Sequence, residues 1–307
     1  MAGPHQFQLT PGGVPLGAEF APGRHYFVDP YNGGDGNRGD DANKPIQTLA
    51  HALKLVTANE FDTVHFLPYS NTAANTTEYR TTALGTLNLN VDCVRWIGHG
   101  NGCRWSPRAR ISTKTGAINV TPTVTLSGNV NLLKGFEIYN GTATDTTACG
   151  ALEVSGQRNV IESCHIAGIG NAADDIASSY SLWDAGQENV YRNCVIGLTT
   201  VGRGASGVNS EIILGGTRTK FENCDIIMRA TATSHVAAIA AAGWSDLTVF
   251  DNCRFMNWGT ATMTYAFTFT GTAGHIVLNN CTAYGITNWA AATTYTFTNQ
   301  SNCYPTS

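Results

Sequence analysis

Three acidic side chains, Glu153, Asp184 and Glu211, lie 31 and 27 residues apart. Acid–base cleavage of a glycosidic bond draws on such groups, one carboxyl protonating the leaving oxygen and another acting as base or nucleophile ~5 to 9.5 Å away. A β-elimination would instead need a base to take the proton α to a carboxylate. It would also need a cation to neutralise that carboxylate, and Arg158, Arg192, Arg203, Arg218, Lys220 and Arg254 are the cationic side chains near the turns and loops. Trp183, Trp244, Trp258, Trp289 and Tyr284 carry rings that could stack on sugar faces, with packing between coils or between chains as the competing use. Asp29, Asn32, Asp35, Asn37, Asp40 and Asp41 set oxygen atoms at nearly alternate positions among glycines, as a calcium loop does, but without the bidentate Glu that closes an EF-hand. The same residue types make ion-free turns through side-chain-to-backbone bonds. Asp174-Asp175 reads as a solvated doublet in an insertion, and His165, His235 and His275 read as structural. Neither a Ser/His/Asp arrangement nor a phosphate loop is present.

What must position these residues is a repeat. The chain says one phrase five times: Val-Ile-Glu-Ser-Cys-His-Ile, Val-Tyr-Arg-Asn-Cys-Val-Ile, Lys-Phe-Glu-Asn-Cys-Asp-Ile, Val-Phe-Asp-Asn-Cys-Arg-Phe and Val-Leu-Asn-Asn-Cys-Thr-Ala. Its cysteines are Cys164, Cys194, Cys224, Cys253 and Cys281, at a period of 30, 30, 29 and 28 residues. A fixed period of this size marks units that bury their apolar faces against one another. Gly156, Gly186, Gly216, Gly243 and Gly271 precede the cysteines by 8 or 10 residues. Two and four places before each glycine stand Leu152 and Val154, Leu182 and Asp184, Ile212 and Leu214, Ile239 and Ala241, Phe267 and Phe269. Alternation ending at a turn glycine predicts a strand with one face inward. The frame runs back to Val124, Leu126 and Gly128, with Phe136 in the place of a cysteine, so at least six coils are expected.

Two or three short strands per unit favour an all-β, right-handed parallel β-helix over a propeller, whose blades need four strands. In that frame Glu153 and Glu211 should point outward and Asp184 inward. Glu153 and Glu211 would lie two coils apart, about 10 Å plus a lateral offset, slightly too far for a confident catalytic pair. Glu162, Glu222 and Asp251 alternate with Arg192 and Asn279 as a solvated face would. The cysteine column is expected to hold free, buried thiols, and Asn193, Asn223, Asn252 and Asn280 to stack their amides along the axis.

The chain has 307 residues, a net charge of −4 and only 13% charged residues, which leaves no basic footprint for nucleic acid or anionic membrane. No stretch approaches 18 apolar residues, and the polar opening from Met1 to Gln8 does not read as a secretion signal. That favours a protein folded where it is made, such as one assembled into a virus particle. Residues 1–24 read as an extended Pro/Gly-rich arm, 25–60 as a cap of strand, turn and amphipathic helix with Leu49, Ala52, Leu53 and Val56 on one face, and 61–307 as the β-helix.

Tyr26-Phe27-Val28-Asp29-Pro30, Asn32-Gly33, Asp35, Asn37, Gly39, Pro45, Thr48-Leu49 and Ala52-Leu53 resemble the opening module of pectate-lyase-like right-handed β-helix proteins, phage tailspikes and other virion β-helices among them. Asp62-Thr-Val-His-Phe-Leu-Pro68 resembles their first coil. The resemblance implies the architecture of residues 25–303 and little of the activity, because lyases, hydrolases and inert fibres share the fold. The expectation is a bacteriophage virion protein, capsid decoration or tail component, without a cofactor beyond a possible structural calcium. It would form a homotrimer, meet other virion proteins through residues 1–24, and stabilise the particle, attach to host surface polysaccharide, or do both. The alternative is a tailspike depolymerase using Glu153, Asp184 and Glu211.

Overall fold

The computed structural model describes residues 23–67, 79–80, 85–99, 109–112, 121–141, 148–204, 209–240, 247–270, 274–291, 296–299 and 304–306. Its strands pair only in parallel and form three sheets of ten, eight and nine strands, so the chain is a right-handed parallel β-helix. One coil shows the plan. Gly150–Val154 lies in the eight-stranded sheet, Val160–Glu162 in the ten-stranded sheet and His165–Ala167 in the nine-stranded sheet, after which the chain returns to Tyr180–Asp184, one strand on from where it began. The pairing extends beyond the repeated phrase. Thr63–Phe66 and Arg95–Gly98 precede it in the ten-stranded sheet, where Trp96 is fully buried in the wall as its alternation predicts.

The corner between the ten- and nine-stranded sheets is made by two residues. The second is the cysteine, turned inward and buried. Each thiol donates to a carbonyl of the coil before, Cys194 Sγ to Ile161 O at 3.4 Å and Cys281 Sγ to Phe250 O at 3.3 Å. None of the five column cysteines forms a disulfide, nor do Cys93 and Cys149, while Cys103 and Cys303 lie outside the described residues. The first corner residue has left-handed backbone: Ser163, Asn193, Asn223, Asn252 and Asn280 have φ between 50 and 54°. Asparagine tolerates that region better than other non-glycine residues. The column therefore serves the backbone first, the N–H groups of Ser163, Asn193, Asn223 and Asn252 donating one coil forward, as Asn193 N does to Glu222 O at 2.9 Å. The amide stacking expected from sequence is present between Asn252 Nδ2 and Asn223 Oδ1 at 2.6 Å.

The core is built of stacked equals. Tyr191, Phe221 and Phe250 lie ring on ring at 4.6 Å separations in the ten-stranded sheet. In the eight-stranded sheet Leu152, Leu182 and Ile212 stand in one inward column. One expectation fails there: Ala238 and Ala240, rather than Ile239 and Ala241, pair with Ile212 and Leu214. From Leu214 to Cys224 is 10 residues, but from Ala240 to Cys253 is 13, so the connection lengthens and its glycine no longer reports the strand register.

The N-terminal end is closed by the helix Leu49–Leu55, whose N-cap Thr48 accepts from His51 N at 3.0 Å through Oγ1. Leu49, Ala52 and Val56 are buried, with Leu53 packed against the core.

Glycines 128, 156, 186 and 216 form a column at the turn after the eight-stranded sheet. A Cβ on Gly186 would lie 1.9 Å from the carbonyl oxygen of Gly156, and one on Gly156 would lie 2.0 Å from that of Gly128. Gly186→Ala is expected to destabilise the fold by about 3 kcal/mol or more in urea unfolding. Gly36→Ala, where nothing lies within 4 Å of the added carbon, should stay within about 0.5 kcal/mol of the parent.

Candidate functional site

Glu153 stands on the outer face of Gly150–Val154, between buried Leu152 and Val154. Its lateral neighbours are Thr125 in the coil before and Trp183 in the coil after. The indole of Trp183 meets the buried ring of Tyr180 edge-on at 5.8 Å. Partial burial against this surface raises the Glu153 pKa, and among the described residues no ionic partner counters it. Glu153 is thus a half-buried carboxyl next to an aromatic ring, the environment that suits a group able to hold a proton.

Asp184, in the neighbouring coil, turns the other way and lies inside the solenoid. It accepts from Asn189 Nδ2 at 3.0 Å, from Tyr191 Oη at 2.9 Å and from Thr219 Oγ1. Desolvation outweighs these bonds and pushes its pKa up to about 6. It terminates a buried amide ladder in which Val94 N donates to Asn131 Oδ1, Asn131 N to Asn159 Oδ1 and Asn159 N to Asn189 Oδ1. Glu153 and Asp184 therefore occupy opposite faces of one sheet.

Glu211 corrects an expectation. Its pleat position is outward, yet the side chain is fully buried, because the connections between the nine- and eight-stranded sheets fold over it. Arg203, on one of those connections, reaches Glu211 Oε1 through Nη2 at 3.0 Å and Nε at 3.1 Å and also donates to Ile169 O. Ser181 Oγ donates to Glu211 Oε2 at 2.6 Å. Both charges are enclosed and satisfied by each other. His235 lies buried near Arg203, and burial with that cation lowers its pKa to about 3.

Nor is Asp174-Asp175 a solvated doublet. Asp174 is fully buried and closes a capping box with Asn171. Asp175 accepts from Gly204 N and from Asn209 Nδ2 at 2.6 Å, tying two successive connections together.

On the outer face of the ten-stranded sheet the charges alternate along the axis. Lys134 pairs with Glu162 at 3.2 Å, Arg192 with Glu222 at 2.7 Å, and Lys220 with Glu222 at 2.7 Å and Asp251 at 3.5 Å. Glu188 sits between Arg158 and Arg218, and Asp225 holds Arg254. These cations keep the Glu188 and Glu222 carboxyls below the ordinary range. The columns that suggested acids or bases are therefore ion-pair ladders.

Of the aromatic candidates, Trp289 is buried against Phe255 and Phe267, and Trp183 is half-buried. Trp258 is 57% exposed and Tyr284 54% exposed, with ring centroids 5.7 Å apart on the nine-stranded sheet. Trp244 lies outside the described residues.

In the N-terminal loop, Asp29 accepts from Tyr31 N, Asn32 N and Asn32 Nδ2, while Asp35 accepts from Gln47 N, Thr48 N and Thr48 Oγ1. Asn37 Nδ2 donates to Pro45 O. The loop's carboxylates thus face N–H and O–H donors, and among the described residues no group of three or more His, Cys, Asp or Glu is gathered to hold a metal. Sequence reading missed a ladder of His25, His65 and His99, whose rings stack at 5.2 and 5.0 Å with N···N distances of 2.8 and 2.7 Å. His65 turns a different nitrogen to each neighbour, and burial with the two other rings lowers its pKa to about 4. The three come from separate coils on a diagonal, which leaves no linear signal.

No family model and no curated protein matches this chain. Solved structures do. A pectin methylesterase from Erwinia chrysanthemi shares 15% identity over 86% of this chain and 80% of its own, with a TM-score of 0.57. A pectin methylesterase from Aspergillus niger shares 16% identity over 94% and 91%, at 0.56. A rhamnogalacturonan lyase shares 16% over 86% and 74%, at 0.53. These neighbours are polysaccharide-acting enzymes, and at such identities the likeness is one of fold.

The buried Asp184 gives a pH test. Its folded pKa lies above the unfolded one, so the folded state binds the extra proton between about pH 4 and 6, and stability from this group is full below pH 4 and lost as pH rises through 6. The rise of the carboxyl pKa from its ordinary range to about 6 corresponds to about 3 kcal/mol. In denaturant titrations at pH 4 and pH 7.5, the stability difference between the parent and Asp184→Asn should change by about that amount; an unchanged difference would show that Asp184 does not titrate in this way.

Proposed function

We propose that this chain is a non-catalytic β-helix of a bacteriophage particle, a homotrimer attached to other virion proteins through residues 1–24, whose outer walls hold a host surface polysaccharide. The observation that carries the non-catalytic part is how the acids are used. Asp184 faces the core, Glu211 is enclosed with Arg203, and the exposed columns are neutralised by neighbouring cations. Glu153 is left on the outer face without an acidic counterpart among the three candidates. Glycoside cleavage needs two carboxyl groups facing one bond. Glycan binding needs less: exposed rings and amide- and hydroxyl-rich walls, such as Trp258 and Tyr284 supply.

A second reading, a tailspike depolymerase, is favoured by one feature, the raised pKa of Glu153 beside Trp183, which would suit a general acid.

The full chain, incubated with a panel of bacterial surface polysaccharides, should release no reducing ends and no unsaturated products, while light scattering on the same sample gives the mass of a trimer. Product that appears with the parent and disappears with Glu153→Gln would replace this reading with the depolymerase.

A further inference from the structure

Cations on the outside of this solenoid have acids beside them. Among the described residues of the repeats, Arg158, Arg192, Arg218, Lys220 and Arg254 each pair with a carboxylate. Among these described residues Arg229 has no such partner, and it is exposed. Its place follows from register. Met228 pairs with Asn257, both buried, and Trp258 N donates to Met228 O at 2.8 Å, so the ladder continues and sets Arg229 beside Trp258 on the outer face. One coil further, Tyr284 pairs with Met256 on the same face and meets the Trp258 ring at 5.7 Å and 45°. Met256, half-buried, completes an apolar shelf with a guanidinium at one end.

We propose that Arg229, Trp258 and Tyr284 form a docking site for a carboxylate-bearing polysaccharide. The proposal rests on the glycan-binding reading and adds the chemistry of the sugar. Pyranose rings present apolar C–H faces that stack on indole and phenol rings. A guanidinium without an ionic partner meets a carboxylate through two parallel N–H···O bonds, a geometry that a neutral sugar does not offer. Because the neighbouring charges are already paired, Arg254 with Asp225 at 2.6 Å for example, Arg229 supplies the uncompensated charge of this rim. The site lies on the nine-stranded sheet, away from the Glu153 face on the eight-stranded sheet.

The test is affinity electrophoresis of the full chain in gels containing hyaluronate or alginate, with carboxyl-reduced forms of each polymer as controls. The parent should be retarded by the acidic polymers at least tenfold more strongly than by the reduced ones. Arg229→Ala should lose at least tenfold in affinity for the acidic form and nothing for the reduced form, and Arg229→Lys should fall between. Trp258→Ala and Tyr284→Ala should weaken binding to both. Equal binding of acidic polymer by Arg229→Ala and the parent, or equal retention of acidic and reduced polymer by the parent, would overturn this site while leaving glycan binding intact. Absence of retention in every gel would overturn glycan binding itself. A change of oligomeric mass on Trp258→Ala with retention unaltered would reassign the shelf to contact between copies.

Discussion

Each coil must end one strand spacing from where it began, so almost every residue stands directly on its counterpart in the coil before. That closure constraint decides the residue types. A column is tolerated only if its members can sit about 4.8 Å apart without collision and without stranding a polar group. Flat rings meet it by stacking, as Tyr191, Phe221 and Phe250 do. Glycine meets it where a backbone carbonyl occupies the space of a side chain, as at Gly156 and Gly186. Cysteine meets it at the tight corner, small enough to bury and able to offer a weak hydrogen bond to the carbonyl below.

The same constraint explains why the acids do structural work. Between the nine- and eight-stranded sheets the connections are long enough to fold outward over the wall, and once they cover Glu211 that carboxylate needs a cation under the same cover. Arg203 provides it from within the loop, and Asp175 links adjacent loops through Gly204 and Asn209. A buried ion pair of this kind is costly to break by removing one partner, which fixes the loops in one arrangement. The Glu153 face and the Trp258 shelf are what this covering leaves open.

Much of the architecture was legible in the sequence because stacking writes itself as a period. The cysteine phrase, the inward alternation at Leu152 and Val154, and the cap helix beginning at Leu49 all stand where the residues placed them. The register at Ala238 was lost because the chain from Ala240 to Cys253 is longer than its counterpart from Leu214 to Cys224 while its marker glycine stayed at a plausible distance in sequence. The buried ladder of Asn131, Asn159 and Asn189 had a signal that went unused, since each lies five residues before Phe136, Cys164 or Cys194. The outward Asn column masked it. Glu211 could not be read, because pleat parity says which way a side chain points but not what a distant loop lays over it. The isolation of Arg229 was hidden for the same reason, as pairing across coils depends on lateral register.

Whether a polysaccharide is held intact on the outer wall would be seen in a crystal structure of the protein with a hyaluronate oligosaccharide. The expected structure has an uncleaved chain on the nine-stranded sheet, one pyranose face on Trp258 or Tyr284 and a uronate carboxylate on the Arg229 guanidinium. An oligosaccharide lying instead along the eight-stranded sheet, with its glycosidic oxygen at the Glu153 carboxyl or its bond already cut, would contradict it.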